Sequence, residues 1–209
     1  DNTVPDFSVV PDAGFPLYRG NKGCIRFSCK KVLKNVIINA GNGSSVIGDA
    51  TVELPYSEKT FSEILKSSGE KISALKEGDK IIIKALGIPK HSATPEGGLS
   101  ALAVISDILK NIKTPEFDAD IFNEFYKMSN FYYGEYFKIE HENSDFGKLT
   151  CVLTKVETDE SGNALASFNI RYGTGISDND ILLKIEKKLK EEGFEMGEVT
   201  YRSIPHALS

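Results

Sequence analysis

The sequence predicts an α+β protein, and three stretches carry that prediction. Lys80–Leu86 holds Ile81, Ile82 and Ile83, a short apolar run that suits a buried strand. It is followed by an apolar stripe at three- and four-residue spacing, Leu99, Val104, Ile105, Ile108, Leu109 and Ile112, which reads as a helix. Thr150–Glu157 and Ala164–Tyr172 read as a hairpin turning at Asp159-Glu160-Ser161-Gly162-Asn163.

Taken in order, Asp1–Phe7 is polar and irregular. Val9 to Leu17 is a short extended piece between two turns, with Asp12 after Pro11. Gly23–Lys31 and Val36–Asn39 carry the β-branched content of strands. Gly41-Asn42-Gly43-Ser44-Ser45 is glycine-rich but lacks the Lys-Ser/Thr ending and following helix of a phosphate loop. Ser57–Lys66 reads as a helix with Phe61, Ile64 and Leu65 inward. Thr94-Pro95-Glu96 predicts the start of the next helix, with Thr as cap, Pro at the first position and a carboxylate in the first turn. That places His91 in a loop between a strand end and a helix, a setting in which function is common although a lone polar-loop histidine is ordinarily just solvated. Thr114-Pro115-Glu116 repeats the start signal before Phe117–Met128, whose stripe is Ile121, Phe122, Phe125 and Met128. Phe131–Glu140 is aromatic and reads as extended. On the second hairpin strand, alternation puts Ala164, Ala166, Phe168 and Ile170 on one face and Leu165, Ser167, Asn169 and Arg171 on the other. Ser177 caps a last helix with Ile181, Leu182, Ile185 and Leu189 inward and Gly193 at its end, before a strand over Glu198–Ile204.

Composition narrows the function. A net charge of −5 gives no basic stripe for phosphates, which argues against nucleic acid. No apolar run approaches the roughly twenty residues of a membrane span. Cys24, Cys29 and Cys151 are odd in number and lack C-x-x-C spacing, which fits a reducing, cytoplasmic setting. The start at Asp1 without a Met is expected of a chain that was cut or processed.

Gly87, His91, Pro95, Glu96, Gly98 and Ala101 together resemble the lid-domain signature of the aminoacylase and carboxypeptidase-G superfamily of zinc peptidases, with Lys90 and Ser100 where Ala and Asn are usual. Val9-Val10-Pro11-Asp12-Ala13-Gly14-Phe15-Pro16 and Lys22-Gly23 resemble the point where carnosinase-like (Xaa-His) dipeptidases of that superfamily pass from catalytic domain to lid. Gly41, Asp49 and Ala50 match a further loop, in which Ser45 and Gly48 replace Asn and Pro. Ser144-Asp145 with Gly147, Leu149 and Thr150 matches a turn entering a strand, to which the sequence assigns no chemistry. Asn169-Ile170-Arg171-Tyr172 resembles a strand ending in a substrate-binding Arg, with Gly173 for Pro. Pro205-His206-Ala207 resembles the return to the catalytic domain. The motifs run in family order over nearly the whole chain.

The resemblance implies an excised lid domain with two ferredoxin-like halves, each an antiparallel sheet with helices on one face. The expected division is a leading segment 1–22, subdomains 23–113 and 114–204, and a closing segment 205–209. It also implies a parent enzyme that hydrolyses dipeptides with two zinc ions and a metal-activated water. His91 would donate to the oxyanion, Arg171 would hold the substrate's carboxylate, and Asp12 would be a zinc ligand supplied to the catalytic domain. The superfamily's first half, which carries its His-x-Asp and Glu-Glu metal motifs, and its last segment with the second histidine ligand have no counterpart here, so the chain alone is expected to be inert and to hold no zinc, with its own catalytic domain and a dipeptide as partners. The alternatives are a stand-alone ferredoxin-like binding or oligomerisation module, the lid of an N-acyl amino acid deacylase, and an inactive homologue.

Overall fold

In the computed structural model, residues 20–207 are described. The chain forms strands β1 (Gly20–Asn21), β2 (Gly23–Val32), β3 (Ile37–Gly41) and β4 (Asp49–Pro55), then helix α1 (Glu58–Ser67). Strands β5 (Ile72–Glu77) and β6 (Lys80–Leu86) precede helices α2 (Ala101–Leu109) and α3 (Asp120–Asn130). A 3₁₀ turn at Glu135–Phe137 leads into strands β7 (Glu142–Asn143), β8 (Gly147–Lys148), β9 (Thr150–Thr158) and β10 (Asn163–Tyr172). Helix α4 (Asp178–Glu191) and strands β11 (Glu195–Ser203) and β12 (His206–Ala207) complete it.

Eight strands make one antiparallel sheet in the order β11-β2-β10-β9-β3-β4-β6-β5. The α+β expectation is therefore met, but as a continuous sheet, because Asn39, Ala40 and Gly41 of β3 pair with Glu157, Val156 and Lys155 of β9. The strands β2, β9, β10 and β11, with α3 and α4, follow the β-α-β-β-α-β order of a ferredoxin-like unit. The other four strands, with α1 and α2, are inserted after the first strand of that unit. Strand β2, which chain order groups with residues 37–109, thus lies between β10 and β11.

Alternation along the sheet sorts its two faces. Ile25, Phe27, Ile38, Val52, Ile81, Ile83, Phe168 and Ile170 are buried in one core that also takes Ile64, Ile105, Phe122, Phe125, Ile181 and Ile185 from all four helices. Burying such side chains contributes about 1.5–3 kcal/mol each, so this face dominates the stability. Leu65, expected inward on α1, is instead exposed, while Ile64 carries the helix's contact with the core.

Helix starts depart from the sequence reading at two places. Helix α2 begins at Ala101, where Ser100 accepts from the Ala103 amide at 3.4 Å. Thr94-Pro95-Glu96 is a turn, because Gly97 takes φ +71° and the Leu99 amide is committed to the Ile88 carbonyl at 3.0 Å. Helix α3 likewise begins at Asp120, and Thr114 accepts from Glu116 N within the preceding loop. Phe131–Glu140 is not extended throughout, since Glu135–Phe137 closes a 3₁₀ turn that buries Tyr136 and Phe137. Ser177 caps α4 as expected, accepting from the Asp180 amide at 3.0 Å.

Candidate functional site

Residues 87–100 form a loop whose neck is closed by Ile88 and Leu99, each donating its amide to the other's carbonyl at 2.8 and 3.0 Å. Gly87 is required at the neck, since a Cβ there would come within 2.1 Å of Leu99 O and 2.9 Å of Ile47 O. The loop is fastened to residues 41–48 by the Val46 amide, which donates to Lys90 O at 2.9 Å, and by an isolated bridge between Ser45 and His91. Ser45 thus flanks His91, and its hydroxyl reaches Asn42 Oδ1 at 3.4 Å.

His91 is exposed at the crest. Its Nδ1 accepts from the Ala93 amide at 3.2 Å. A backbone amide can only donate, so Nδ1 is the acceptor nitrogen and the neutral ring carries its proton on Nε2. His91 therefore presents an outward N–H donor, held in orientation by its own loop.

Arg171 lies near the end of β10, on the face away from the helices, as alternation predicts. It is half-buried, and its Nε is enclosed without a hydrogen-bond partner among the described residues. Its Cα partners are Cys24 on β2 and Thr150 on β9. Asn169, two residues earlier on that face, is buried and receives the Cys24 thiol at 3.7 Å. The Thr150 hydroxyl donates to Ser92 O at 2.9 Å. One strand pairing and one hydrogen bond thus connect Arg171 to the residue beside His91, although the two are far apart in sequence. The sequence reading gives Thr150 no chemistry, as part of a turn entering a strand, and a hydroxyl partner 58 residues away leaves no local signal.

A second polar group borders the loop. Tyr133 donates to Glu96 at 3.0 Å, and Lys22 donates to Lys148 O at 2.6 Å. Burial pulls the Lys22 ammonium down from its usual range, against the pull of Glu96. Burial also pushes the Cys29 thiol up to about 12 and raises that of Cys151, so neither is poised as a nucleophile.

Two concavities of about 520 and 510 Å³ lie elsewhere. One is bounded by α2 and the start of β5, the other by Val36, Glu53 and Asp159. Neither is lined by His91 or Arg171. Among the described residues no group of three or more His, Cys, Asp and Glu side chains could hold a metal ion, and Asp12 lies outside them. No described helix is long and apolar enough to cross a membrane.

No family model matches the chain. It is 23% identical to "Putative dipeptidase YtjP" of Bacillus subtilis (strain 168) over 224 aligned positions, which cover 99% of this chain and 47% of that protein. The chain thus spans about half the length of the curated relative it matches, and its similarity is to a dipeptidase-like sequence.

Proposed function

We propose that this chain is the lid of a dizinc metallo-dipeptidase, working with a catalytic domain of the same polypeptide in a reducing, cytoplasmic setting. The observation that supports the reading is that Thr150, paired opposite Arg171, hydrogen-bonds to Ser92 O, next in the chain to His91. Similarity to a dipeptidase about twice as long supports it, as does the pairing of the described chain ends, Gly20 with Ala207 and Asn21 with His206, which suits an inserted domain.

Each residue's task follows from its chemistry. His91 Nε2–H donates to the oxygen that gains charge as the scissile carbonyl becomes tetrahedral. Arg171 grips the free carboxylate of the substrate with two parallel hydrogen bonds, which a planar guanidinium can make and an ammonium cannot. Fixing that end limits the substrate to two residues. In this reading the two zinc ions are held by the catalytic domain with Asp12 contributing a ligand, and the chain without that domain is expected to be inert.

The test is made in the full-length polypeptide with dipeptide substrates. His91→Ala lowers kcat about 100- to 1000-fold, the loss typical of one oxyanion donor; near-normal kcat rejects the role. Arg171→Lys raises KM for dipeptides, and an unchanged KM rejects carboxylate binding.

A further inference from the structure

We propose that Thr150 is a positioning residue that sets the spacing between His91 and Arg171; the inference rests on the reading of those two residues given above. His91 belongs to the sheet half built from β3 to β6, and Arg171 to the half built from β2 and β9 to β11. The contacts made by residues 88–91 to Val46, Ser45 and Leu99 keep the loop within the first half. The bond from Thr150 to Ser92 O crosses to the second. Of the other crossing contacts, Tyr133 to Glu96 is exposed and lies five residues beyond His91, while the Gly43 amide donates to Thr154 O at 3.1 Å from the neighbouring loop and the β3–β9 pairing lies farther along the sheet.

Thr150 suits this task on three counts. It is the first residue of β9 and directly opposite Arg171, so the two side chains leave the same face of the sheet. It is 2% exposed, and its β-branched side chain is restricted at χ1, which fixes where the hydroxyl sits. Ser92 is fully buried and its own hydroxyl has no partner, so no side-chain bond of Ser92 duplicates this one. The hydroxyl is therefore a rigid spacer between the crest of the loop and the strand that carries the guanidinium.

Thr150→Val removes the hydroxyl at nearly constant shape, and Thr150→Ser keeps it. In the full-length polypeptide Thr150→Val should lower kcat for dipeptides about 10- to 100-fold, since about 1 Å of misplacement can cost 100-fold. Thr150→Ser should recover most of that loss. In a His91→Ala background Thr150→Val should add little, because no donor is left to place. A normal kcat in Thr150→Val, or an equal loss in both backgrounds, overturns the inference. Normal kcat in His91→Ala overturns the reading beneath it instead, so the two failures are distinguishable. If Thr150→Val does not fold, Thr150→Ala takes its place. In the folded variant of this 209-residue chain, the His91 ring nitrogen signals should shift in ¹⁵N NMR; unmoved signals overturn the inference.

Discussion

Gly87 is a residue with no room for a side chain. The atoms a Cβ would meet are backbone atoms of Leu99, Ala101 and Ile47, none of which can swing aside. Gly87→Ala should therefore cost about 3 kcal/mol, the upper part of the overpacking range, read as a lower urea midpoint with unchanged slope. The same neck explains why the helix start was misplaced in the sequence. Thr94-Pro95-Glu96 carries every local cue for an N-terminus, but Leu99 N–H is spent on Ile88 across the neck, and a helix starting at Pro95 would need it for Pro95 O. Ser100 then serves as the cap, a task that Ser and Asn share, so the departure from the resembled motif leaves the cap in place. His91 itself was legible as a loop residue. The nitrogen that bears its proton was not, because that depends on where the Ala93 amide points.

At the scale of elements, α4 is held to β11 by charge as well as by packing. Arg202 pairs with Asp178 and reaches Asn179 Oδ1 at 2.7 Å, and this pairing holds the Asp178 carboxyl below the usual range. A lowered folded-state pKa means that stability from this group is present above the ordinary carboxylate range and is lost as pH falls through the lowered value. Arg202→Gln should thus flatten the acid side of a plot of Tm against pH between those two values, by slightly lowering stability at neutral pH while leaving it unchanged below both. At the same helix start, Ser177→Ala should cost about 1 kcal/mol in urea unfolding. That cap was readable because its partners are three residues apart. The hairpin β9–β10 was readable for a similar reason, since turn residues and alternation are local signals. The placement of β2 between β10 and β11 was not, because it depends on pairings across more than 130 residues.

Over the whole molecule, one core runs beneath both halves of the sheet, and β3–β9 pairing joins them without a gap. The described residues should therefore unfold in a single transition. Ile83→Ala, a substitution of the kind that costs about 2–5 kcal/mol, lies in the first half. It should lower the protection of β2 and β10 amides in hydrogen exchange as much as that of β4 and β6; loss confined to the first half would mean two units. The described residues also end beside where they start, with β12 laid against β1 in a separate two-stranded ribbon. Closing a loop costs entropy that grows with the freedom between its ends, and here that freedom is already removed by folding. A host that carried this chain between two of its own strands would close it as a turn of a few residues, so nearly two hundred folded residues add almost nothing to the loop-closure entropy the host must overcome. The paired ends would also act as a flat strap, stiff against being pulled apart and compliant to bending across its plane.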